Sequence, residues 1–458
     1  MSDAKDDPDL LVIGAGTAGM AAARGAARGG ARVVLVTDSP PGGDCTFTGC
    51  VPSKTLIAAA AAGQPFADAS ARVRAAIEQI AATETAEVLR GKGIDVRMGH
   101  AVFTGPRTVD VEGTVLRPAR VVLASGSGPV VPPIDGLAEA AHLTNESVFD
   151  LTRLPRHLAV LGGGAIGCEL AQAFRRLGSQ VTIVEGLDRL LGKEEPRASA
   201  VVQAALEREG VTVRLGNGVT RIDTIADGLR LTLADGSSVE ASELLVCVGR
   251  RPSTAGLDLD RAGIEVAKDG RVVTDPWLRT TADGVCAAGD VTGLLPFTHA
   301  ADVMGRVAGG NAFARGRGSR FSDKGIPWVT FTDPEVGRVG LTEAQAAEQV
   351  KGARVVELSM TEVDRAITAG RTEGFVTLVV GPKGLLGNTA GGRVLGATVV
   401  CPRGGELVAE IALAIRTGMF AGRLAQSTHA YPTWSLAVQQ CASQLFGYGG
   451  SEPRPARA

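Results

Sequence analysis

Leu10-Leu-Val-Ile13, running straight into Gly14-Ala-Gly16-Thr-Ala-Gly19, is the stretch that decides the fold of this 458-residue chain. It reads as a short buried strand, a glycine-rich turn and a helix to about residue 28. The first glycine allows a tight turn, the second admits a pyrophosphate, and the third lets helix and strand pack closely. Backbone N–H groups and the helix dipole then face the phosphates. A second strand at 33–36 ends on Thr37-Asp38. The carboxylate expected there for a ribose falls on Thr37, so Asp38 must serve. The same design recurs at 158–161, Gly162-Gly-Gly164-Ala-Ile-Gly167, a helix through 176, and a strand closing on Glu185. A carboxylate at Glu185 accepts from both ribose hydroxyls and repels a 2′-phosphate, which favours NADH over NADPH. Arg189, one helical turn onward, is the residue that could blunt this choice.

Working outward, strand-like and helix-like runs alternate over the first two-thirds, which predicts an α/β chain with parallel sheets. Residues 58–91 read as one or two helices, and 107–125 alternate like strands before Ala124-Ser125-Gly126. Buried strands at 244–248 and 284–288 lead into Gly249-Arg250-Arg251-Pro252 and Gly289-Asp290. After Gly325 the strands acquire polar faces and a helix follows at 405–417, with 315–318 read as a flexible link. The expected fold is two Rossmann-like dinucleotide-binding domains plus a C-terminal α+β domain. The expected boundaries are 1–150 (first part of one nucleotide domain), 151–270 (the second), 271–325 (a return to the first) and 326–458.

Composition narrows the function. The chain is 45% hydrophobic and 21% charged with a formal net charge of −2, which gives no reason to expect nucleic acid or an anionic membrane as partner. Residues 1–8 lack the basic and apolar regions of a secretory signal, and no apolar run reaches the length of a membrane span. Seven scattered cysteines argue against a structural disulfide framework and for a cytoplasmic protein with mostly reduced thiols.

The close pair Cys45/Cys50 is the exception. On one ideal helix, cysteines five apart point about 140° away from each other and could not bridge. Gly49 permits an irregular turn, and Pro52 suits the first turn of a helix. The pair is therefore expected in a loop entering a helix, where the dipole and Lys54 stabilise a thiolate. Taken alone, two buried free cysteines would be as good a reading; beside two dinucleotide modules it is not.

Gly42-Gly43-Asp44-Cys45-Thr-Phe-Thr-Gly49-Cys50-Val-Pro52-Ser53-Lys54 resembles the active-site signature of the pyridine nucleotide–disulfide oxidoreductases, the family of lipoamide dehydrogenase, glutathione reductase and mercuric reductase. The resemblance covers nearly the whole chain. Ala124-Ser125-Gly126-Ser127 is similar to the family's Ala-Thr-Gly turn, Gly249-Arg250-Arg251-Pro252 to its second such turn, and Ala288-Gly289-Asp290 to its flavin-binding Gly-Asp. Phe331 to Gly337 resembles the opening of its dimerisation domain. The resemblance implies FAD, NADH or NADPH, a homodimer, and a Cys45–Cys50 redox disulfide serving a small-molecule or metal-ion acceptor. It implies that Gly43, Ser125, Gly126 and Gly249 belong to the cofactor site and that Asp290 accepts from the flavin ribityl chain. Cys50 becomes the charge-transfer thiolate, Cys45 the interchange thiol, and Lys54 pairs with Glu169 near the flavin. Ala165 stands where some relatives carry an aromatic gate.

One segment departs from the pattern. Disulfide-reducing relatives end in His-Pro-Thr-x-x-Glu, whose histidine protonates the departing thiolate. Here Tyr431-Pro432-Thr433-Trp434-Ser435-Leu436 replaces both the histidine and the glutamate. An ordinary tyrosine is a poor proton shuttle near neutrality; His429, two residues upstream, is a candidate substitute, although a lone histidine is more often structural or exposed. Tyrosine at this point, with Arg365-Ala366-Ile367 and Gly405-Glu406-Leu407, is similar to the mercuric reductase branch. Against full membership, no metal-carrying domain precedes Gly14 and no cysteine pair occupies the tail. The expected acceptor is thus a metal ion or a quinone. A lipoamide dehydrogenase-like enzyme using His429, and a nucleotide-sensing flavoprotein without turnover, stay open.

Overall fold

The structure, a computed structural model, describes residues 7–448 and 452–457. Residues 1–6, read above as carrying no leader, and 449–451 and 458 of the cysteine-free tail lie outside the described residues. The chain folds into two compact units: Met1–Pro132 with Leu143–Arg153 and Val248–Asp323, and Pro133–His142 with Leu154–Cys247 and Lys324–Ala458.

In the first unit β1 (Leu10–Ile13), α1 (Thr17–Arg28) and β2 (Val33–Thr37) form the expected crossover. Two short helices follow, α2 (Gly43–Phe47) and α3 (Cys50–Ala61). β1 and β2 are central in a parallel sheet ordered Val285–Ala287, Arg120–Leu123, β1, β2, Ile94–Met98. Leu10 pairs with Val33 on one side and Arg120 on the other, so both neighbours start in step. Every residue of β1 and β2 is buried. That is why these strands read as continuous apolar runs: a parallel sheet covered on both faces has no wet side. The run 108–123 forms the strands Thr108–Val111, Thr114–Leu116 and Arg120–Leu123. Residues 315–318, expected as a flexible link, have no regular structure, yet the carbonyls of Gly316 and Arg317 accept from Arg279 of this unit.

The second unit repeats the crossover. Its parallel sheet runs Thr212–Arg214, Gln180–Val184, His157–Leu161, Glu243–Val246, with the helix Ala165–Arg176 packed upon it. The same unit holds a six-stranded sheet ordered Pro327–Thr330, Glu335–Gly340, Arg393–Cys401, Phe375–Gly381, Arg354–Ser359, Arg454–Pro455. The helix Gly404–Thr417 lies against its strands Glu335–Gly340 and Arg393–Cys401. Polar ties hold the two sheets in one unit. Arg176 donates to Glu209 (2.6 Å) and Asp333 (2.8 Å), and Trp328 donates to Glu194 (2.8 Å). Glu194 also faces Arg338, both side chains 8% exposed. No helix among the described residues is long and apolar enough to cross a membrane.

Candidate active site

The two glycine turns share one geometry. Gly14 has φ +100° and Gly162 +109°, conformations that side chains resist. A Cβ on Gly19 would stand 1.9 Å from the Gly14 carbonyl oxygen, and one on Gly167 2.0 Å from that of Gly162. These glycines let each helix press onto its own turn. Around Gly16 and Gly164, by contrast, nothing lies within 4 Å of a Cβ position. Neither helix has a side-chain cap or an acidic residue in its first turn. Helix starts with room beside their N-cap glycine and no capping side chain suit a dinucleotide pyrophosphate, so both turns fit the expected cofactors.

The strand-end carboxylates differ. Thr37 is buried and its hydroxyl donates to the Ser39 carbonyl (2.8 Å), so it offers nothing outward. Asp38 projects beyond it, its side chain 70% exposed and 3.9 Å from His100. Glu185 is held in place, accepting from the N–H of Gly163 (2.7 Å) and of Leu187 (2.9 Å). Arg189 donates to the Gly192 carbonyl (2.9 Å) of its own loop.

The cysteine pair corrects the expectation of a loop. Cys45 lies within the helical turn α2, and Cys50 is the first residue of α3. The helix breaks at Thr48-Gly49, and this break replaces the divergence of an unbroken helix with a meeting of thiols. Gly49 is required by close approach: a Cβ there would stand 2.7 Å from the Asp44 carbonyl oxygen. The Cys45 thiol is pushed far up, first by its hydrogen bond with Cys50, then by burial and by the Cys50 charge. Cys50 Sγ lies 3.4 Å from the Thr298 hydroxyl. The other cysteines behave as inert thiols: burial pushes Cys286 to about 11 and Cys247 and Cys401 to about 12.

Lys54 lies on α3 in the first unit, while Glu169 belongs to the second, where it is buried and accepts from the Phe331 N–H (2.8 Å). Glu169 is thus a buried carboxylate, not a surface one. Ser125 donates to the Ser253 carbonyl (2.7 Å), and the Gly126 carbonyl accepts from the Ser253 N–H (3.0 Å). Gly249 has φ +145°, and its carbonyl accepts from the Val130 N–H. Gly43, at φ +62°, brings its backbone against Gly16. Asp290 accepts from the Ser127 hydroxyl (2.7 Å), and burial raises its carboxyl despite that bond. Sequence reading gave no role here to Arg250, Ser127, Asp44 or Thr298. Arg250 donates to Ser127 and pairs with Asp44, and Thr298 meets Cys50.

The carboxy-terminal segment adds two more, Glu410 and Asp364. His429 Nε2 lies 2.9 Å from Glu410, and its Nδ1 lies 3.1 Å from the Ser427 carbonyl oxygen. Both ring nitrogens thus face acceptors. Tyr431 is 71% exposed and donates to Asp364 (2.8 Å), which holds the phenol above its usual range. Leu436 opens the helix Leu436–Ser443. Among the described residues no group of three or more His, Cys, Asp or Glu side chains is arranged to hold a metal ion.

Comparison with known proteins agrees with this layout. The pyridine nucleotide-disulphide oxidoreductase model matches residues 8–305, and the dimerisation domain of that family matches 326–442. The chain is 34% identical to a mercuric reductase of Streptomyces lividans over 96% of both proteins. It is likewise 34% identical to a dihydrolipoyl dehydrogenase of Thermus scotoductus, over 95% of this chain and 97% of that protein. Among solved structures it resembles the Cu(II) complex of the HOCl-induced flavoprotein disulfide reductase RclA from Escherichia coli. That match has a TM-score of 0.88 and 30% identity, covering 96% of this chain and 99% of the other.

Proposed function

The chain belongs to the pyridine nucleotide-disulphide oxidoreductase family, and from that premise we propose that electrons pass from NADH through FAD to Cys45–Cys50 and on to a thiophilic metal ion. The enzyme is a flavoprotein oxidoreductase with a dimerisation domain. The three-domain division at 150, 270 and 325 follows from the same premise, as does a homodimer in a reduced-thiol compartment such as the cytoplasm. FAD supplies two-electron transfer between nicotinamide and disulfide. Gly14, Gly16, Gly19 and the first amides of α1 would hold its pyrophosphate, Asp38 its ribose, and Asp290 its ribityl chain, with Gly43, Ser125, Gly126 and Gly249 shaping the backbone around it. Gly162, Gly164 and Gly167 would seat the nicotinamide dinucleotide, with Glu185 selecting NADH. Lys54 and Glu169 keep the roles beside the flavin that the family resemblance implies for them.

In the reduced pair Cys45 keeps its proton and Cys50 carries the negative charge. A disulfide substrate would be attacked by Cys45 and would release a thiolate that needs a proton. A metal ion instead takes both sulfurs as thiolate ligands, releasing the Cys45 proton to solvent, and needs no acid. The observation that carries this choice is Tyr431. Hydrogen-bonded to Asp364 and held above its usual range, it is a poor acid near neutrality. The metal named in the RclA structure and the mercuric reductase relatives support the same reading. The rival reading is a lipoamide reductase using His429, favoured by Glu410, which would orient that ring. The Ser427 carbonyl opposes it by occupying the second nitrogen.

The test is turnover with Hg²⁺, Cu²⁺, lipoamide, glutathione disulfide and a quinone, each with NADH and NADPH, alongside Cys50→Ser and Cys45→Ser. Cys50→Ser should abolish the long-wavelength thiolate–flavin band of the two-electron-reduced enzyme, and Cys45→Ser should keep it. Robust lipoamide reduction by the wild type, insensitive to His429→Ala, would sink the metal-ion reading. A band surviving in Cys50→Ser would reverse the thiol roles.

A further inference from the structure

A carboxylate directly before a redox cysteine works against thiolate formation, since like charge nearby disfavours the ionised form. Asp44 is such a carboxylate, the neighbour of Cys45 on α2. One of its oxygens accepts from the Thr48 hydroxyl (3.0 Å); the other pairs with Arg250. The Arg250 side chain is 21% exposed, and its strand Arg250–Pro252 runs antiparallel to Ser127–Pro129, with Pro252 opposite Ser127. The guanidinium Nε donates to the Ser127 hydroxyl (2.9 Å), and Nη2 donates to the Ser127 carbonyl as well as to Asp44. Ser127 spends its own proton on Asp290 (2.7 Å). A hydroxyl has one hydrogen to give, so the chain has a fixed direction: Arg250 to Ser127 to Asp290. A single guanidinium thus lies between the carboxylate of the redox turn and the carboxylate assigned to the flavin.

We propose that Arg250 is the positioning residue of this site: it neutralises Asp44 beside the redox thiols and orients Ser127 onto Asp290, coupling the state of the disulfide to the seating of FAD. The proposal rests on the FAD–disulfide reading above. A lysine cannot substitute fully, because a point charge lacks the fork that meets Ser127 and Asp44 together. On the thiols' own helices the charged side chains are Asp44 and Lys54; Arg250 reaches them through Asp44, Glu84 through Thr46, Asp290 lies beyond Ser127, and His299 follows Thr298, which meets Cys50. Of these, Asp44 is the one that Arg250 neutralises by direct contact on the redox turn itself.

The experiment uses the holoenzyme, reduced by two electrons and titrated with pH while the thiolate–flavin band is recorded, with FAD content measured after gel filtration. Arg250→Met should move the midpoint of the band up by about one pH unit, the scale of an added like charge. Asp44→Asn in the Arg250→Met background should restore at least half of that shift, and Arg250→Lys should fall between. If Arg250→Met sheds FAD, Asp44→Asn with Arg250 intact, which keeps the Ser127 contacts, should retain it; loss of FAD there too overturns the assignment. A flavin-loaded Arg250→Met with the wild-type midpoint also overturns it. A wild type that binds no FAD or shows no band at any pH would refute the underlying reading instead, a result distinct from either.

Discussion

Replacing Thr298 with valine tests the electrostatics of the cysteine pair with least disturbance. Thr298 opens the helix Thr298–Ala312, and its hydroxyl lies 3.4 Å from Cys50 Sγ while also easing the Cys45 thiol downward. Valine keeps the branched shape and removes only the donor. A hydrogen bond to a charged group contributes about 1.5–3 kcal/mol, and one pKa unit corresponds to about 1.36 kcal/mol. A long contact to an exposed sulfur belongs at the low end, so the expected change is about one unit. The sign follows from which form the hydroxyl favours. Donation stabilises the thiolate, its loss stabilises the thiol, and the thiolate then persists only to a higher pH. In the two-electron-reduced enzyme, the thiolate–flavin band of Thr298→Val should therefore vanish on acidification about one pH unit earlier than in the wild type. The assay is absorbance across a pH series, with far-UV circular dichroism confirming the fold. A midpoint unchanged, or shifted downward, would refute the argument that Thr298 donates to a Cys50 thiolate.

Two further outcomes are expected. Glu185→Gln should reduce the preference for NADH over NADPH about tenfold, the worth of one contact of about 1.4 kcal/mol; kcat/KM with both nucleotides measures this, and an unchanged ratio would pass the role to Arg189. A positioned general acid contributes about 10²–10⁴-fold, so Tyr431→His combined with Leu436→Glu should raise disulfide turnover about tenfold or more, with little gain from either change alone. Equal gain from Tyr431→His alone would show that Glu410 or another group already holds an imidazole there.

What could be read from the sequence was whatever is local in the chain. Each nucleotide module is a contiguous strand, turn and helix, so Gly14 to Gly19 and Gly162 to Gly167 announce themselves by spacing. The apolar runs at residues 10–13 and 33–36 gave the parallel sheet because both faces are covered. The cysteine turn was half legible: Gly49 signalled an irregularity, but nothing short of coordinates shows that Cys45 lies on a helical turn of its own. The partners of Asp44, Cys50 and His429 were hidden for one reason. Arg250 lies 206 residues from Asp44, and Thr298 lies 248 from Cys50. Glu410 lies 19 from His429, on the helix Gly404–Thr417. Periodicity and spacing report on neighbours along the chain; these contacts are made by the fold.

The twin phosphate seats carry a consequence for cofactor sorting. The residues preceding the two helices, Gly16 and Gly164, share φ −74° and have ψ within one degree, −176° and −175°. On the proposed reading, two seats so alike would offer a pyrophosphate similar amides and would give little means of telling a flavin dinucleotide from a nicotinamide one. Discrimination is displaced to either end of the ligand: to the strand-end acid, exposed at Asp38 but tethered by two amides at Glu185, and to the groups that meet the ring. The adenosine diphosphate half, common to both cofactors, would then be a shared handle for either seat. Fidelity is written in the few side chains on which the modules disagree.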